Sequence, residues 1–386
     1  MAPVNGRPFL EYLVQQLREQ GIRRVLLLTG YRGETIREHF GDGTAAGVAI
    51  SYSHGPTEWE TGRRLCEARE LLDASFLLLY SDNYAPFSLD KLQAFHMARG
   101  TTVSLSVQPK AKANIRLAPN GMVKLYDPTR AAPGLEFVEI GYMIAERDRL
   151  FSAMDDADAS LSVTLRTLAE HNELAGHVSR DPYHSISDLD RLVVTARYLA
   201  PKRIVLLDRD GTINARPPRA EYVTGWDKFD WADATVEAMG QLADRGFQFI
   251  VLSNQAGIAR GMLDAEVVDA MNARMRDELA GRGIEILTAY VCPHHWDDGC
   301  ECRKPAPGMF FRASAEFQLR LDRTVYVGDD PRDSEAAYNA NCLSVLIGPD
   351  RHGADTSDAK PARTAETLLE LVPWLLSRFE EWESVP

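Results

Sequence analysis

No apolar run in the 386 residues approaches the ~18 needed to cross a bilayer, so a membrane-spanning helix is not expected. The N-terminus lacks the basic, apolar and small segments of a secretory signal, which points to a cytoplasmic protein. Positive charge is not in excess. Lys and Arg number 43 against 56 Asp and Glu, a formal net charge of -13, which argues against a general nucleic-acid binder but leaves room for a local basic patch that holds phosphate. Internal repeats, low-complexity segments and long Gly/Ser linkers are missing. Cysteine is scarce, five in all. Cys66 and Cys342 sit in apolar surroundings and read as small core residues. Cys292, Cys300 and Cys302 fall close together beside His294, and in a cytosolic-looking chain such a cluster suggests metal rather than disulfide. The length allows two or three domains, and a hydrophobic content of 45% with 26% charged residues is ordinary for a soluble globular protein. Nothing in these numbers fixes an oligomeric state.

What is present is alternation. In the first half, Leu10, Leu13, Val14 and Leu17 give one helix an apolar face that Gly21 ends. Strands are expected at 25–29, 48–52, 75–82 and 102–107, with helices near 34–40, 62–72 and 88–99. This order predicts an α/β domain with a mainly parallel sheet. Ligands in such sheets sit beyond the carboxyl ends of the strands, so Asp82, closing the strand 75–82, is placed for a metal or a sugar phosphate; a turn or helix-capping aspartate fits the same position.

The stretch 1–13 resembles the second conserved block of sugar-1-phosphate nucleotidyltransferases, and 28–34 resembles the strand and turn after it. The likeness covers 1–199. It implies that Asp82 stands where that family holds its catalytic Mg²⁺. This chain departs from the family in three places. The glycine-rich phosphate loop and first strand that would precede Met1 are not in the sequence. The mid-domain glycine-rich stretch becomes Trp59 to Arg64. A second metal-binding aspartate aligns with Ser185. A polyphosphate is stabilised by backbone N–H groups and metal, so no nucleotide transfer is expected from the chain as written, and Asp82 is expected to be a vestigial metal position. Either ~25–30 residues precede this start or the half is a degenerate scaffold; the missing strand would leave a sheet edge or centre open.

A helix at 188–199 runs into Pro201, and the domain boundary is expected near 200, giving domains 1–199 and 200–386. Alternation then resumes: strands at 203–208, 247–252, 284–291, 324–327 and 342–347, helices at 233–245, 264–281, 306–318 and 331–340, and a terminal helix near 363–381. An irregular stretch, 213–230, follows the first strand. Three strands end in polar groups: Asp208 and Asp210, Ser253 and Asn254, Asp329 and Asp330. As parallel neighbours they would converge on one edge. That set supports phosphate-monoester hydrolysis. Asp208 is the nucleophile, Asp210 the acid and base, and Mg²⁺ on Asp208 and Asp329 screens the phosphate's charge. Ser253 and Asn254 would donate to phosphoryl oxygens, and Lys304, next to Arg303, would neutralise developing charge. Arg260 could meet a second, distal phosphate or simply be solvated. Asp333 would orient the metal shell or cap the helix after Pro331.

The order Asp208-x-Asp210-Gly211-Thr212, Ser253-Asn254, Lys304 and Gly328-Asp329-Asp330-x-x-Asp333 resembles the haloacid-dehalogenase (HAD) phosphatase superfamily over about 202–350. The stretches 253–261 and 292–309 resemble, more narrowly, D-glycero-D-manno-heptose 1,7-bisphosphate 7-phosphatases; histidinol-phosphate phosphatases share most of these motifs. The resemblance implies a small sugar-phosphate substrate, and it implies Asp210 alongside Asp208 and Asp329 in the Mg²⁺ site. Cys292, His294, Cys300 and Cys302 offer three thiolates and one imidazole, a closed tetrahedral Zn²⁺ set, which implies a structural ion stiffening the loop before Arg303 and Lys304; free thiols in a loop are the alternative. Trp296 stands where the family often has proline. No large cap domain separates the motifs, so an open, loop-shaped site is expected. The competing expectations are a histidinol-phosphate phosphatase, a bifunctional phosphatase and heptose-1-phosphate guanylyltransferase if the start is misplaced, and a non-catalytic sugar-phosphate-binding scaffold.

Overall fold

The apolar stripe of the first helix, α1 (Phe9–Glu19), buries Phe9, Leu13, Val14 and Leu17, and Gly21 turns the chain out of it at φ 83°. The computed structural model describes residues 1–154, 158, 160–218, 221–349 and 359–384. They divide into two units, one from Met1 to Ala196 and one beginning at Arg197. None of the helices is long and apolar enough to cross a membrane among the described residues.

The first unit contains β1 (Arg24–Thr29), β2 (Ala49–His54), β3 (Ser75–Leu79), β4 (Val103–Pro109), β5 (Ile115–Leu117), β6 (Val123–Tyr126), β7 (Phe137–Glu146) and β8 (Leu174–Val178). Parallel pairing joins β1 to β2 and β4 to β8. The ten-residue β7 instead pairs antiparallel with β3, β4 and β5, and β5 pairs antiparallel with β6. The cause lies in the connections. From β4 to β7 the chain passes strand to strand with no helix between, and strands joined by short loops return antiparallel without a crossover. Among the described residues β1 pairs only with β2 and β3 only with β7. Their apolar residues, Val25 to Leu28 and Phe76 to Leu79, are accordingly only half-buried. β3 stops at Leu79, so Asp82 lies in the turn beyond the strand rather than at its end.

The second unit is built on one parallel sheet of β9 (Ile204–Leu207), β10 (Gln248–Asn254), β11 (Ile286–Cys292), β12 (Val325–Gly328), β13 (Leu343–Ile347) and β14 (Arg363–Ala365), in the order β11-β10-β9-β12-β13-β14. The helices are α2 (Asp233–Ala243), α3 (Ala265–Ala280), α4 (Gly308–Phe317), α5 (Pro331–Asn339) and α6 (Val372–Ser384). All four residues of β9 are buried because both faces are covered. Val205 and Leu207 pack with Met239 of α2, Met275 of α3 and Phe379 of α6. Ile204 and Leu206 pack with Phe310 of α4 and Ala337 of α5. The terminal helix expected near 363–381 is instead β14 followed by α6. Pro373 sits in the first turn of α6, where a missing N–H leaves no hydrogen bond unmade. Residues 219 and 220 of the irregular stretch 213–230 lie outside the described residues.

β9 has β10 on one side and β12 on the other. The connection after it runs one way and the later strands return on its far side, which is a topological switch point. The sheet therefore brings the ends of β9, β10 and β12 together.

Candidate active site

Alternation along β9 decides where its last residues point. Asp208 continues the Ile204 and Leu206 face, and Arg209 continues the opposite one. On the Asp208 side, Lys304 Nζ lies 2.9 Å from Asp208 Oδ1 and 2.9 Å from Asp333 Oδ1, and it donates to the Tyr326 hydroxyl at 2.6 Å. Lys304 is buried. Burial works against its charge, but Asp208 and Asp333 outweigh it and hold its pKa above the ordinary lysine value. Gly211 follows with φ 90°, and a Cβ there would run into the Asp329 carboxylate. The glycine is what lets the β9 turn and the β12 turn approach.

Asp208, Asp329 and Asp333 each bring a carboxylate oxygen within 4.8 Å of the others. Burial pushes the Asp329 carboxyl up to about 8, with Asp208 and Asp333 adding to it. Burial likewise raises Asp208 to about 7 against the pull of Lys304. Lys304 contacts two of these carboxylates and the half-exposed Arg216 the third, and a crowded all-oxygen set of this kind suits Mg²⁺. Asp333 has a second task. It forms a capping box with Asp330 at the start of α5, and its Oδ2 accepts from the backbone N–H groups of Asp329 and Asp330 at 3.2 and 3.1 Å. It thereby fixes the turn that presents Asp329.

Two side chains have partners that the sequence does not announce. The Asp210 side chain does not join the cation cluster. Its Oδ1 accepts from Arg209 Nε at 3.1 Å, and its Oδ2 accepts from Arg209 Nη2 at 3.0 Å and Gln255 Nε2 at 2.6 Å. Arg209 is fully buried, and a buried guanidinium requires a carboxylate. Asp333 is the third carboxylate beside Asp208 and Asp329 instead. Burial opposes the charge on Asp210, yet Arg209 and Gln255 hold its pKa below the ordinary value. The second is Asn254. Both ends of its amide are spent on Lys304, Nδ2 donating to the Lys304 carbonyl at 3.0 Å and Oδ1 accepting from the Lys304 N–H at 3.1 Å. Asn254 therefore positions the lysine rather than offering its side chain to a phosphate. Asn254→Ala is expected to lower kcat/KM by about 10²-fold through misplaced Lys304 while the thermal midpoint moves little; steady-state kinetics beside a melting curve check this. Ser253 is buried and receives Gln255 Nε2 at 2.9 Å.

Cys292, His294, Cys300 and Cys302 form a cage. Cys302 Sγ lies 3.3 Å from Cys292 Sγ, 3.6 Å from Cys300 Sγ and 3.2 Å from His294 Nδ1. Cys292 Sγ lies 3.7 Å from Cys300 Sγ and 3.6 Å from His294 Nδ1. Ligands ~2.3 Å from a tetrahedral centre sit ~3.8 Å apart, so this cage has the size and donor set of a zinc site. The sulfurs are too far apart for a disulfide. Arg303, next in the chain, donates Nη1 to the His294 carbonyl at 3.4 Å. Arg260, in the loop after β10, reaches the loop 293–307 at Trp296. It donates to the Tyr222 hydroxyl at 3.1 Å and lies over the Trp296 ring at 5.5 Å.

In the first unit, Asp82 is exposed, and it belongs to no metal-capable group among the described residues. Its carbonyl accepts from Ile186 at 3.0 Å, which places it beside Ser185, and Ser185 receives Arg191 Nη1 at 3.1 Å.

Sequence reasoning missed Arg209, Gln255, Asn272, Arg216 and Tyr326. One signal was available. Asn272 interrupts the buried stripe of α3 between Met271 and Met275, and its Oδ1 accepts from Arg209 Nη1 at 3.1 Å. Arg216 lies 3.3 Å from Asp329 and 3.1 Å from Asp330, a contact that no spacing in the irregular stretch foretells.

Two family models match the chain: the nucleotidyl transferase model over residues 1–131 and the HAD-hydrolase-like model over residues 301–371. The D-glycero-β-D-manno-heptose-1,7-bisphosphate 7-phosphatase of Pseudomonas aeruginosa is 38% identical over 146 residues, 38% of this chain and 81% of that protein. The protein of the same name from Yersinia pestis is 38% identical over 184 residues, 46% of this chain and 96% of its own length. Among solved structures, D,D-heptose 1,7-bisphosphate phosphatase from B. bronchiseptica, complexed with magnesium and phosphate, is 30% identical with a TM-score of 0.42 and covers 45% of this chain and 98% of that one. HddC from Yersinia pseudotuberculosis is 14% identical with a TM-score of 0.45 over 52% of this chain and 89% of that one. The chain is a HAD-type phosphatase that belongs to the D-glycero-β-D-manno-heptose-1,7-bisphosphate 7-phosphatase family, with a nucleotidyl transferase domain in the same polypeptide.

Proposed function

We propose that this enzyme removes the 7-phosphate of D-glycero-D-manno-heptose 1,7-bisphosphate through an aspartyl-phosphate on Asp208, and that it does so in the cytoplasm, where thiols stay reduced and free to hold zinc. The observation that carries this reading is the placement of Asp208 against Lys304, with Asp210 just beyond it, at the switch point of the parallel sheet.

In the first step Asp208 Oδ attacks phosphorus. The P–O bond to the sugar breaks as the new bond forms, and the leaving alkoxide takes a proton from Asp210. In the second step Asp210 accepts a proton from water, which attacks phosphorus and returns Asp208 as a carboxylate with inorganic phosphate. The Arg209 pairing suits the second step, where Asp210 is a base. In the first step the substrate dianion opposes the pull of Arg209 and favours the protonated acid. Lys304 sits where charge develops on the phosphoryl oxygens, Ser253 lines the same edge, and Arg303 and Arg260 face the remainder of the sugar phosphate. Asp208 and Asp329 would hold Mg²⁺, which when bound offsets the repulsion between the nucleophile and the phosphate. Cys292, His294, Cys300 and Cys302 would hold Zn²⁺ as a structural ion.

The first unit, in this reading, transfers no nucleotide. The support is the contact of Arg191 with Ser185, together with Asp82 belonging to no metal-capable group of three or more side chains among the described residues. Incubation with heptose 1-phosphate and GTP or ATP is expected to release no pyrophosphate, and Asp82→Asn is expected to leave phosphate release within about twofold of wild type; pyrophosphate formation would contradict this. The substrate assignment is tested by kcat/KM for both anomers of heptose 1,7-bisphosphate beside histidinol phosphate. A heptose anomer is expected to be preferred by about 10²-fold or more, and preference for histidinol phosphate would reverse the assignment.

A further inference from the structure

Four carboxylates meet at the ends of β9 and β12: Asp208, Asp329, Asp330 and Asp333. Lys304 serves Asp208 and Asp333. Arg332 serves Asp330, with Nε 2.8 Å from Oδ1 and Nη2 2.8 Å from Oδ2. The cation in contact with Asp329 is Arg216, whose Nε lies 3.3 Å from Asp329 Oδ2 while its Nη2 lies 3.1 Å from Asp330 Oδ2. One guanidinium thus bridges a buried carboxylate and its more exposed neighbour. The Arg216 side chain keeps 41% exposure, whereas Asp329 keeps 6%.

Arg216 does not reach this place by chance of a loose loop. Ala215 N–H donates to the Asp230 carbonyl at 2.7 Å, and Gly211 N–H donates to the Asn214 carbonyl at 2.8 Å. The base of the loop stacks Trp226 on Phe229, with Arg274 of α3 over the Trp226 ring at 4.6 Å. The backbone is held, and the long side chain carries the freedom. A half-exposed guanidinium is a weak competitor for a carboxylate when a divalent ion can take its place. Its fork of donors also matches a phosphoryl group as well as it matches two carboxylates.

We propose that Arg216 is an exchangeable counter-cation. It neutralises Asp329 in the ion-free enzyme, yields Asp329 to the divalent ion, and, still tethered to Asp330, turns its freed donors to the phosphoryl oxygens of a phosphomonoester. This rests on the reading that Asp208 and Asp329 hold Mg²⁺. Arg216 then ties the order of binding together: the ion releases the arginine, and the arginine meets the substrate.

The two halves predict effects of opposite sign from one substitution. Mg²⁺ binding to the zinc-replete full chain is measured by titration calorimetry without substrate, for wild type, Arg216→Ala and Arg216→Lys. KM is then measured with para-nitrophenyl phosphate at saturating Mg²⁺, a probe independent of sugar specificity. Arg216→Ala is expected to bind Mg²⁺ about five- to tenfold more tightly and to show KM raised about tenfold. Arg216→Lys keeps the charge but lacks the fork, and is expected to leave KM raised. Melting curves show whether the exposed substitution leaves the fold intact. Unchanged or weaker Mg²⁺ binding in Arg216→Ala overturns the counter-cation role, and an unchanged KM overturns the phosphate contact. Failure of the underlying Mg²⁺ reading looks different: wild type itself would then show no binding isotherm.

Discussion

Asp208→Asn is expected to lower kcat on the order of 10⁴-fold or more while the protein remains folded. In the proposed mechanism the size follows from the loss of the group that forms the covalent bond to phosphorus. The survival of the fold follows from what the asparagine retains. Its carbonyl oxygen can still accept from Lys304 and from the Arg209 N–H, which the carboxylate receives at 2.9 and 2.7 Å. The substitution also removes one of the crowded carboxylates whose burial raises its pKa to about 7, so it relieves repulsion with Asp333 and Asp329 and the thermal midpoint is expected to hold or rise. Stopped-flow or discontinuous phosphate assays with a melting curve check both parts. An unfolded variant would leave the chemistry unexamined, in which case Asp208→Glu, which keeps the charge but moves the oxygen by one bond, supplies the same kinetic comparison. Turnover near wild type in a folded Asp208→Asn would remove Asp208 as the nucleophile.

Removal of the proposed zinc ligands is expected to have the second large effect. Between the end of β11 and the start of α4, no helix or strand fixes residues 293–307. Hydrogen bonds hold parts of that loop, Asn254 on Lys304 and Asn339 on the Pro305 carbonyl, and the cage adds a tie from Cys292 to Cys300 and Cys302. Cys302 lies two residues before Lys304, and Arg303 between them bonds back to His294. Elemental analysis is expected to find about one zinc per chain. Cys302→Ser, or stripping with a strong chelator, is expected to reduce kcat/KM by at least about 10²-fold and to make the loop 293–307 sensitive to protease. Activity of the stripped protein should return with added zinc and not with added Mg²⁺ alone. Fully active protein without zinc would show that the four ligands play no part in holding Lys304.

The second unit was legible because its physics is local. Three of its strands, β9, β10 and β12, are short apolar runs that end in polar groups, and a parallel sheet aligns such ends without further information. Asp208, Ser253 and Asp329 come together for that reason, and Lys304 reaches Asp208 from the loop after β11. What the sequence could not convey was the partner of each side chain. Asp210 reads as a metal ligand, and nothing in its spacing shows that the buried Arg209 takes its carboxylate. Asn254 reads as a phosphate contact until both ends of its amide are found on Lys304. Arg216 stands in an irregular stretch with no period to follow. The first unit was less legible for another reason. Apolar runs such as β3 and β7 do not reveal the direction in which they pair, and the helix-free passage from β4 to β7 set that direction. Asp82 was expected at a strand end, but the β3 ladder stops three residues before it.

The central claim, that the Asp208 site hydrolyses one particular phosphate of a heptose bisphosphate, is tested most directly by following the reaction of the full chain with D-glycero-β-D-manno-heptose 1,7-bisphosphate and Mg²⁺ by phosphorus NMR. The account predicts loss of the 7-phosphate signal, growth of inorganic phosphate in equal amount and persistence of the anomeric 1-phosphate. Loss of the anomeric phosphate instead, or no reaction under conditions where histidinol phosphate is consumed, would contradict it.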